Sequence, residues 1–216
     1  MKTASVLAFA ALALLAQDEK SALEKDPQGW EDLMPGKTLK GWRRVPIDPL
    51  AAKTVWSVSE DGKTLLIDGV HAKEMLLEET ERGNGVFHVE WRFRKGEGPK
   101  PLYNGGVYVR TALDGKVWVQ AQVAEQEKHP VCGDLFALMP GADKPAPFLQ
   151  KSPSRAKPIG EWNTYEVTCK GKSISLWVNG ATTVTWDGCE WPKGHLGLQA
   201  EFAFVEVRSL KYKPLP

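Results

Sequence analysis

Short stretches of alternating apolar and polar residues follow one another along most of the chain. The segment Phe87–Arg94 (FHVEWRFR) alternates without a break. Such a period of two places successive side chains on opposite faces of a β-strand. Similar runs occur at Gly106–Arg110, Val117–Val123, Tyr165–Cys169 and His195–Glu201. We therefore expect a chain made mainly of strands, without long helices.

Turn-forming residues separate these runs. Asp61-Gly62, Asp114-Gly115, Gly171 and Asn179-Gly180 each stand between two strand-like segments. Asp-Gly and Asn-Gly favour the tight turns of β-hairpins, because these residues tolerate a left-handed backbone. Many short strands joined by hairpins predict an all-β sandwich or barrel. In a sandwich of two antiparallel sheets, the side chains expected inside are Val89, Trp91, Val107, Val109, Val119, Val167, Leu176 and Val207.

One long segment, Ala124–Gly160, breaks this rhythm. It is rich in proline and shows little alternation. Loops longer than about 15 residues inside a compact domain are usually functional or disordered. We therefore expect this segment to form a lid over one sheet face, anchored by Leu135, Phe136, Leu138 and Phe148.

The first residues have the pattern of a signal peptide. Lys2 is followed by an apolar run from Val6 to Ala16, and the chain becomes polar at Gln17. The run is shorter than the roughly 20 apolar residues that cross a bilayer, but it fits the core of a secretory signal. We expect residues 1–16 to be removed and the protein to be exported, to the periplasm or the extracellular space.

The remaining chain has the length of one domain. Residues 17–28 are charged and nearly free of large apolar side chains, which predicts a flexible lead-in before a domain at residues 29–213. The sequence holds 28 Lys and Arg against 27 Asp and Glu, a formal charge of +1. Without a basic run, it lacks the electrostatic signature of a protein that binds nucleic acid or an anionic membrane. No second apolar stretch is long enough for a membrane span.

The three cysteines do not by themselves show whether a disulfide forms. Cys169 and Cys189 flank a predicted pair of strands and could form a disulfide in an oxidising compartment, whereas Cys132 lies in the proline-rich segment. His129 and Cys132 have a spacing seen in metal sites, but no second pair completes one. We therefore assign no metal ligand.

The strand Val117–Val123 carries distinctive outward side chains. Alternation directs Trp118, Gln120 and Gln122 away from the core, and it directs Tyr108 and Arg110 the same way on the preceding strand. Aromatic rings pack against the faces of sugars, and amides both donate and accept hydrogen bonds, as a hydroxyl-rich ligand requires. This surface predicts carbohydrate binding. A solvated polar sheet face is the alternative.

Acid–base candidates are fewer. Glu201 is outward beside Gln199, and Glu125, His129 and Asp134 lie in the proline-rich segment. Such groups are more often surface charges than catalysts. The sequence lacks the paired carboxylates on one strand that a retaining glycosidase would need.

Four stretches, in the same order, resemble the 3-keto-disaccharide hydrolase family, a domain of exported bacterial proteins. They are GWEDLMPGKTLKGW at Gly29–Trp42, YNGGVYVR at Tyr103–Arg110, GEWNTYEVTCKGKSISLWVNG at Gly160–Gly180, and the closing pair GHLGLQAE and VEVRSL. The resemblance runs from about Gly29 to Lys211. It implies a concanavalin A-like jelly-roll β-sandwich of two antiparallel sheets.

The resemblance also implies cleavage of 3-keto-glycosides or 3-keto-disaccharides by elimination and hydration. A ketone at C3 acidifies the hydrogen at C2, so the route needs a base near C2 and donors on the enolate. Glu201 would be the base, with Arg110 and Gln122 as donors. A divalent cation could also stabilise the enolate, and no other cofactor is implied. The expected substrate contacts are Trp118, Gln120 and Tyr108, from the alternation described above, and Asn104, Gln199 and Arg208, which the resemblance carries over.

Two stretches depart from the family pattern. Many members have Tyr-Glu-Val-Gln where this chain has Val119-Gln120-Ala121-Gln122, and many have Gln-Asp-His-Gly where it has Gln199-Ala200-Glu201-Phe202. Two acid–base groups are therefore altered. A lectin-like carbohydrate-binding module of the same fold remains an alternative to an enzyme, and the oligomeric state is left open.

Overall fold

Two antiparallel sheets account for most of the chain. The computed structural model describes residues 18–48, 54–96, 102–125, 132–151 and 153–216. The predicted signal peptide and His129 lie outside these residues. The elements are α1 Ala22–Lys25, β1 Glu31–Asp32, β2 Trp42–Pro46, β3 Trp56–Val58, β4 Leu65–Asp68, β5 Glu74–Glu78, β6 Gly85–Phe93, β7 Tyr103–Thr111, β8 Trp118–Glu125, β9 Leu135–Leu138, β10 Ala146–Phe148, β11 Asn163–Lys170, β12 Ser173–Val178, β13 Ala181–Trp186, β14 His195–Glu201 and β15 Phe204–Pro214.

The strand order is that of a jelly-roll sandwich. One sheet has eight strands in the order β13-β12-β11-β6-β15-β4-β3, with β1 also paired to β15, and the other has seven in the order β10-β9-β8-β7-β14-β5-β2. Strands distant in sequence, β6 with β15 and β7 with β14, pair near the middle of the sheets. The predicted all-β sandwich of two antiparallel sheets is confirmed. Among the described residues, no helix has the length and apolar character needed to cross a bilayer.

The side chains between the sheets are those that alternation selects. All eight residues predicted inside are at most 2% exposed. Fully burying a Val, Leu or Phe side chain contributes about 1.5–3 kcal/mol, so this interior is the main stabilising element. The four predicted turns also join paired strands: β3 to β4, β7 to β8, β11 to β12, and β12 to β13.

The segment predicted as a lid extends the seven-stranded sheet instead. Its strand β9 pairs with β8, and β10 pairs with β9. Leu135 is buried in the core, while Phe136 and Leu138 are only partly buried. The prediction missed these strands because the length of the segment, its prolines and its lack of alternation all indicated a loop. Proline is tolerated in an edge strand, where Pro147 lies in β10, and β2 at the opposite edge ends at Pro46.

The lead-in predicted to be flexible is held against the eight-stranded sheet. Ser21 caps α1 with a capping box that includes Glu24. Glu166 on β11 accepts the backbone N–H groups of Ala22 at 2.5 Å and Leu23 at 3.1 Å. A carboxylate at the start of a helix satisfies N–H groups that have no partner within the helix. The described residues of this segment therefore make specific contacts with the eight-stranded sheet.

The cysteines are buried free thiols. The disulfide considered between Cys169 and Cys189 is not formed in the structure. Burial raises the pKa of the Cys132 thiol to about 12 and that of Cys169 to about 11. Such thiols are poor nucleophiles, because the thiolate is the reactive form.

Candidate functional site

Five polar side chains on the outer face of the seven-stranded sheet form a continuous chain of hydrogen bonds. Gln120 Nε2 donates to Gln199 Oε1 at 2.5 Å, and Gln199 Nε2 donates to Glu201 Oε2 at 3.1 Å. Asn104 Nδ2 donates to the same carboxylate oxygen at 2.7 Å. Gln122 Nε2 donates to Asn104 Oδ1 at 2.7 Å. We call these residues the amide–carboxylate network.

Strand register brings the network together from three strands. Gln122 on β8 lies opposite Gly106 on β7, and Gly106 lies opposite Gln199 on β14. Glu201 lies opposite Asn104. Residues paired in this way across neighbouring strands project from the same face of a sheet. The outward direction predicted for Gln120 and Gln122 is therefore confirmed, although Gln120 is itself buried.

A lysine that the sequence analysis missed completes the network. Lys73 Nζ lies 3.0 Å from Glu201 Oε1 and 4.1 Å from the centre of the Phe202 ring. The carboxylate thus has two amide donors on one oxygen and an ammonium group on the other. Lys73 precedes β5, and the pairing of β5 with β14 brings it near Glu201. No local sequence pattern marks this pairing.

The same sheet face has an apolar half. Tyr108 is buried with Met75 and Leu77, and Trp118 packs against them with its ring centre 5.7 Å from that of Tyr108. Burial and the negative charge of Glu201 raise the pKa of Tyr108 well above its usual value. Tyr108 is therefore buried, and the half-buried Trp118 presents the more accessible aromatic surface of this face.

Arg110 does not join this face, so its predicted outward direction is wrong. It has a positive φ of 52°, next to a register shift between β14 and β7. This irregularity turns the side chain inward, where it is 1% exposed and Nη2 donates to Asn84 Oδ1 at 3.2 Å. A bulge reverses the alternation on which the prediction depended.

Arg208 lies on the other sheet. Its Nε donates to Glu90 Oε2 at 2.5 Å, and its guanidinium carbon is 4.4 Å from the centre of the Trp162 ring. The structure therefore does not bring Arg208 to the network, where the family resemblance had placed a substrate contact.

The other acid–base candidates also lie apart from the network's hydrogen bonds. Glu125 is exposed at the end of β8. Asp134 is buried, accepts the backbone N–H of Gln150 at 2.9 Å, and has a pKa raised by burial. Of the candidates in the described residues, Glu201 is the one that takes part in the network's hydrogen bonds.

A divalent cation does not fit the network well. Within the described ranges, no group of three or more His, Cys, Asp or Glu side chains could hold a metal ion. The network contributes a single carboxylate, which is already paired with Lys73. We therefore derive no chemical step through a cation.

This jelly-roll sandwich has amides, a carboxylate and a tryptophan on one sheet face, and its family match places it in the carbohydrate-active class. The sequence model of the 3-keto-alpha-glucoside-1,2-lyase-like domain matches residues 29–213. The chain belongs to this family, as the resemblance in its four stretches predicted. No curated protein matches the chain.

Solved structures share the fold at low sequence identity. A proposed glycosyl hydrolase from Parabacteroides distasonis has 17% identity and a TM-score of 0.61, covering 93% of this chain and 100% of its own. A carbohydrate-binding module from Bacillus subtilis has 16% identity and a TM-score of 0.60, covering 80% and 95%. Winged bean acidic lectin, complexed with methyl-alpha-D-galactose, has 8% identity and a TM-score of 0.56, covering 85% and 97%. At these identities the likeness concerns the fold alone.

Proposed function

We propose that this protein is an exported enzyme that cleaves the glycosidic bond of 3-keto-glycosides or 3-keto-disaccharides by elimination followed by hydration. The observation that carries the proposal is the position of Glu201, which is bonded to two amides and to Lys73 on an open sheet face. A partly exposed carboxylate, held in place by two amides and an ammonium group, can take a proton from a sugar bound next to it.

The reaction balances without an external cofactor. Glu201 takes the C2 proton, and the electron pair of that C–H bond forms the enolate of the C3 ketone. The enolate expels the C1 oxygen, which takes a proton and departs as the alcohol, leaving an unsaturated ketone. Water then adds its hydroxyl to C1 and gives its remaining proton to Lys73, which had protonated the departing oxygen, and the protonated Glu201 returns a proton to C2. The sum is hydrolysis of the glycoside.

The neighbouring side chains have defined roles in this proposal. The amides of Asn104, Gln122 and Gln199 bind sugar hydroxyls and the enolate oxygen, because they offer donors whose orientation is fixed before substrate binds. Lys73 protonates the departing oxygen from the side of the carboxylate that it already contacts. Trp118 packs against the sugar ring. Arg110 is excluded from these roles by its interior position.

Replacement of Glu201 by Gln tests the chemistry. Glu201→Gln keeps the shape of the side chain but removes the proton acceptor, so turnover of a 3-keto-glycoside should fall by about 100-fold or more. Substrate affinity should change little. Glu60→Gln, in the exposed turn between β3 and β4, is the matched control. A fully active Glu201→Gln enzyme would remove Glu201 from the mechanism and make Glu125 and His129 the next candidates.

A non-catalytic carbohydrate-binding module is the second candidate function. The observation favouring it is that both oxygens of Glu201 already have donors, as in a carboxylate that orders a binding surface. A binding module would retain the sugar but release no alcohol from any 3-keto-glycoside. Measuring both binding and product release with the wild-type protein therefore separates the two functions.

Export is a separate part of the proposal. Removal of residues 1–16 would leave a mature chain that begins near Gln17. Intact-mass measurement of protein secreted by a competent host should detect this shortened chain. Secreted protein that retained Met1 would contradict the proposed cleavage.

A further inference from the structure

A cavity of about 580 Å³ is lined in part by Phe202 and Tyr103, which are next in the chain to Glu201 and Asn104 of the amide–carboxylate network. This volume lies within the range of roughly 300–1,000 Å³ that is usual for small-molecule sites. Its apolar walls include Phe202, Phe204, Tyr103, Leu102 and Val70. They come from both sheets, so the cavity lies where the ends of the two sheets meet.

The cavity walls hold most of the large apolar side chains that are exposed in the described part of the chain. Leu102 is 64% exposed, Val70 is 53% exposed and Phe202 is 41% exposed. These are three of the five large hydrophobic residues that are exposed in the described part of the chain. Clustered exposed apolar side chains mark binding surfaces more often than isolated ones do. The cavity therefore fits an apolar ligand group.

Phe202 is the wall shared by the cavity and the network. It directly follows Glu201, and its ring is 4.1 Å from Lys73 Nζ, which pairs with Glu201. Phe202 has a φ of 57°, which is unfavourable for a bulky side chain. The neighbouring Ala203 carbonyl accepts the Gly69 N–H at 2.9 Å, which helps to fix this turn. A molecule held at Glu201 could therefore extend into the cavity past Phe202.

The polar part of the cavity lining is cationic. Arg94, Lys95 and His71 line it, and no carboxylate is found among the described lining residues. His71 already faces Asp68, with Nδ1 2.7 Å from a carboxylate oxygen. Arg94 is largely exposed and lies 3.7 Å from Glu206, so part of its hydrogen-bonding capacity is open to a ligand. Guanidinium groups bind anionic oxygens with charge-assisted hydrogen bonds.

We infer that this cavity binds the leaving group of the substrate, and that the favoured leaving group is an aromatic ring bearing a carboxylate. The apolar walls hold the ring, and Arg94 with Lys95 attracts the anionic group. The inference rests on the proposed function for the sugar half of the substrate. Binding in the cavity is nevertheless measurable without turnover.

The test compares 4-hydroxybenzoate with uncharged phenol as probes, using calorimetry on the full-length mature protein. Wild type should bind 4-hydroxybenzoate about fivefold more tightly than phenol, as expected for a partly exposed ion pair. Phe202→Gly removes the ring and suits the positive φ, so it should weaken both probes. Arg94→Gln should remove most of the difference between them. Leu149→Ala, at another exposed apolar residue, is the control and should change neither affinity.

The outcomes separate this inference from the proposed function. Equal affinity for both probes, or affinities unchanged in Phe202→Gly and Arg94→Gln, would overturn the inference even if 3-keto-glycosides are cleaved. Selective probe binding that depends on both residues would support the cavity. If the same protein then cleaved no 3-keto-glycoside, the proposed enzymatic function would fail while the anion-selective cavity remained.

Discussion

Gly106 shows how one missing side chain shapes the network. A Cβ atom at this position would lie 2.1 Å from Gln120 Nε2, which is too close for any contact. Without it, the Gln120 side chain crosses β7 and reaches Gln199. The glycine is therefore required for the hydrogen bond between two strands that are not neighbours. Gly106 matters because it leaves room for the Gln120 side chain, and not because of its backbone conformation.

Gly106→Ala should therefore weaken sugar binding without unfolding the protein. The methyl group displaces the buried Gln120 side chain, so the loss of its hydrogen bond to Gln199 should lower affinity for a 3-keto sugar by up to about tenfold. The protein should remain folded with a lower Tm, because the displaced side chain is buried. Gly36→Ala is the control, because a Cβ there meets no atom within 4 Å. Unchanged affinity in Gly106→Ala would show that the Gln120–Gln199 bond does not serve binding.

At the scale of elements, α1 is joined to the eight-stranded sheet through a buried pair. His88 Nδ1 lies 3.0 Å from Glu166 Oε1, and Glu166 also accepts two N–H groups of α1. Burial alone would lower the pKa of His88, but its hydrogen bond to Glu166 and the nearby Glu90 carboxylate, 3.5 Å from Nε2, outweigh burial and raise the pKa. For Glu166, burial would raise the pKa, but the bonds from His88, Ala22 and Leu23 lower it.

These opposite pKa shifts predict that the pair stabilises the folded protein most strongly over a limited range of pH. Because the folded-state pKa of His88 is raised, its contribution is complete below the ordinary histidine value of about 6.5 and is lost as pH rises through the folded-state value. The folded-state pKa of Glu166 is lowered, so the stability that Glu166 contributes is lost as pH falls through that folded-state pKa. The difference in Tm between wild type and His88→Gln should be largest near pH 6 and shrink at higher pH.

His71→Gln is the control for this measurement, since His71 is largely exposed. Its Tm difference from wild type should be small at every pH. A His88→Gln difference that stayed constant from pH 6 to pH 9 would mean that the histidine acts by packing and not by charge.

Much of the fold follows from local pattern, whereas the site depends on pairing between distant strands. Alternation predicted the buried positions and the outward amides Gln120 and Gln122, because one face of each strand must be buried. It failed at Arg110, where a bulge reverses the direction of the side chain. Lys73 was missed because its neighbour Glu201 belongs to a distant strand. Such contacts arise only when the whole sheet is assembled.

At the scale of the whole molecule, the two sheets have different outer faces. The seven-stranded sheet carries the amide–carboxylate network, while the eight-stranded sheet carries charged pairs such as Arg208 with Glu90. The interior between them is closed around Cys132, Cys169 and Cys189. The sandwich thus keeps its thiols buried, away from the face that carries the proposed chemistry.

Thiol labelling tests whether this interior is closed in solution. Native protein should react with almost no Ellman's reagent at pH 8, because the thiols are buried and their pKa values are raised. After denaturation all three cysteines should react. A single reactive thiol in the denatured, unreduced protein would instead show that two of them had formed a disulfide.

The prolines at the two edges of the seven-stranded sheet affect how separate molecules can associate. Pro147 lies in β10 and Pro46 ends β2, and neither residue has an amide hydrogen to offer an incoming strand. Exposed strand edges are the places where separate molecules otherwise join into continuous sheets and then into fibrils. The joining of sheets from separate molecules is therefore disfavoured at both edges. Concentrated protein should resist filament formation through this sheet.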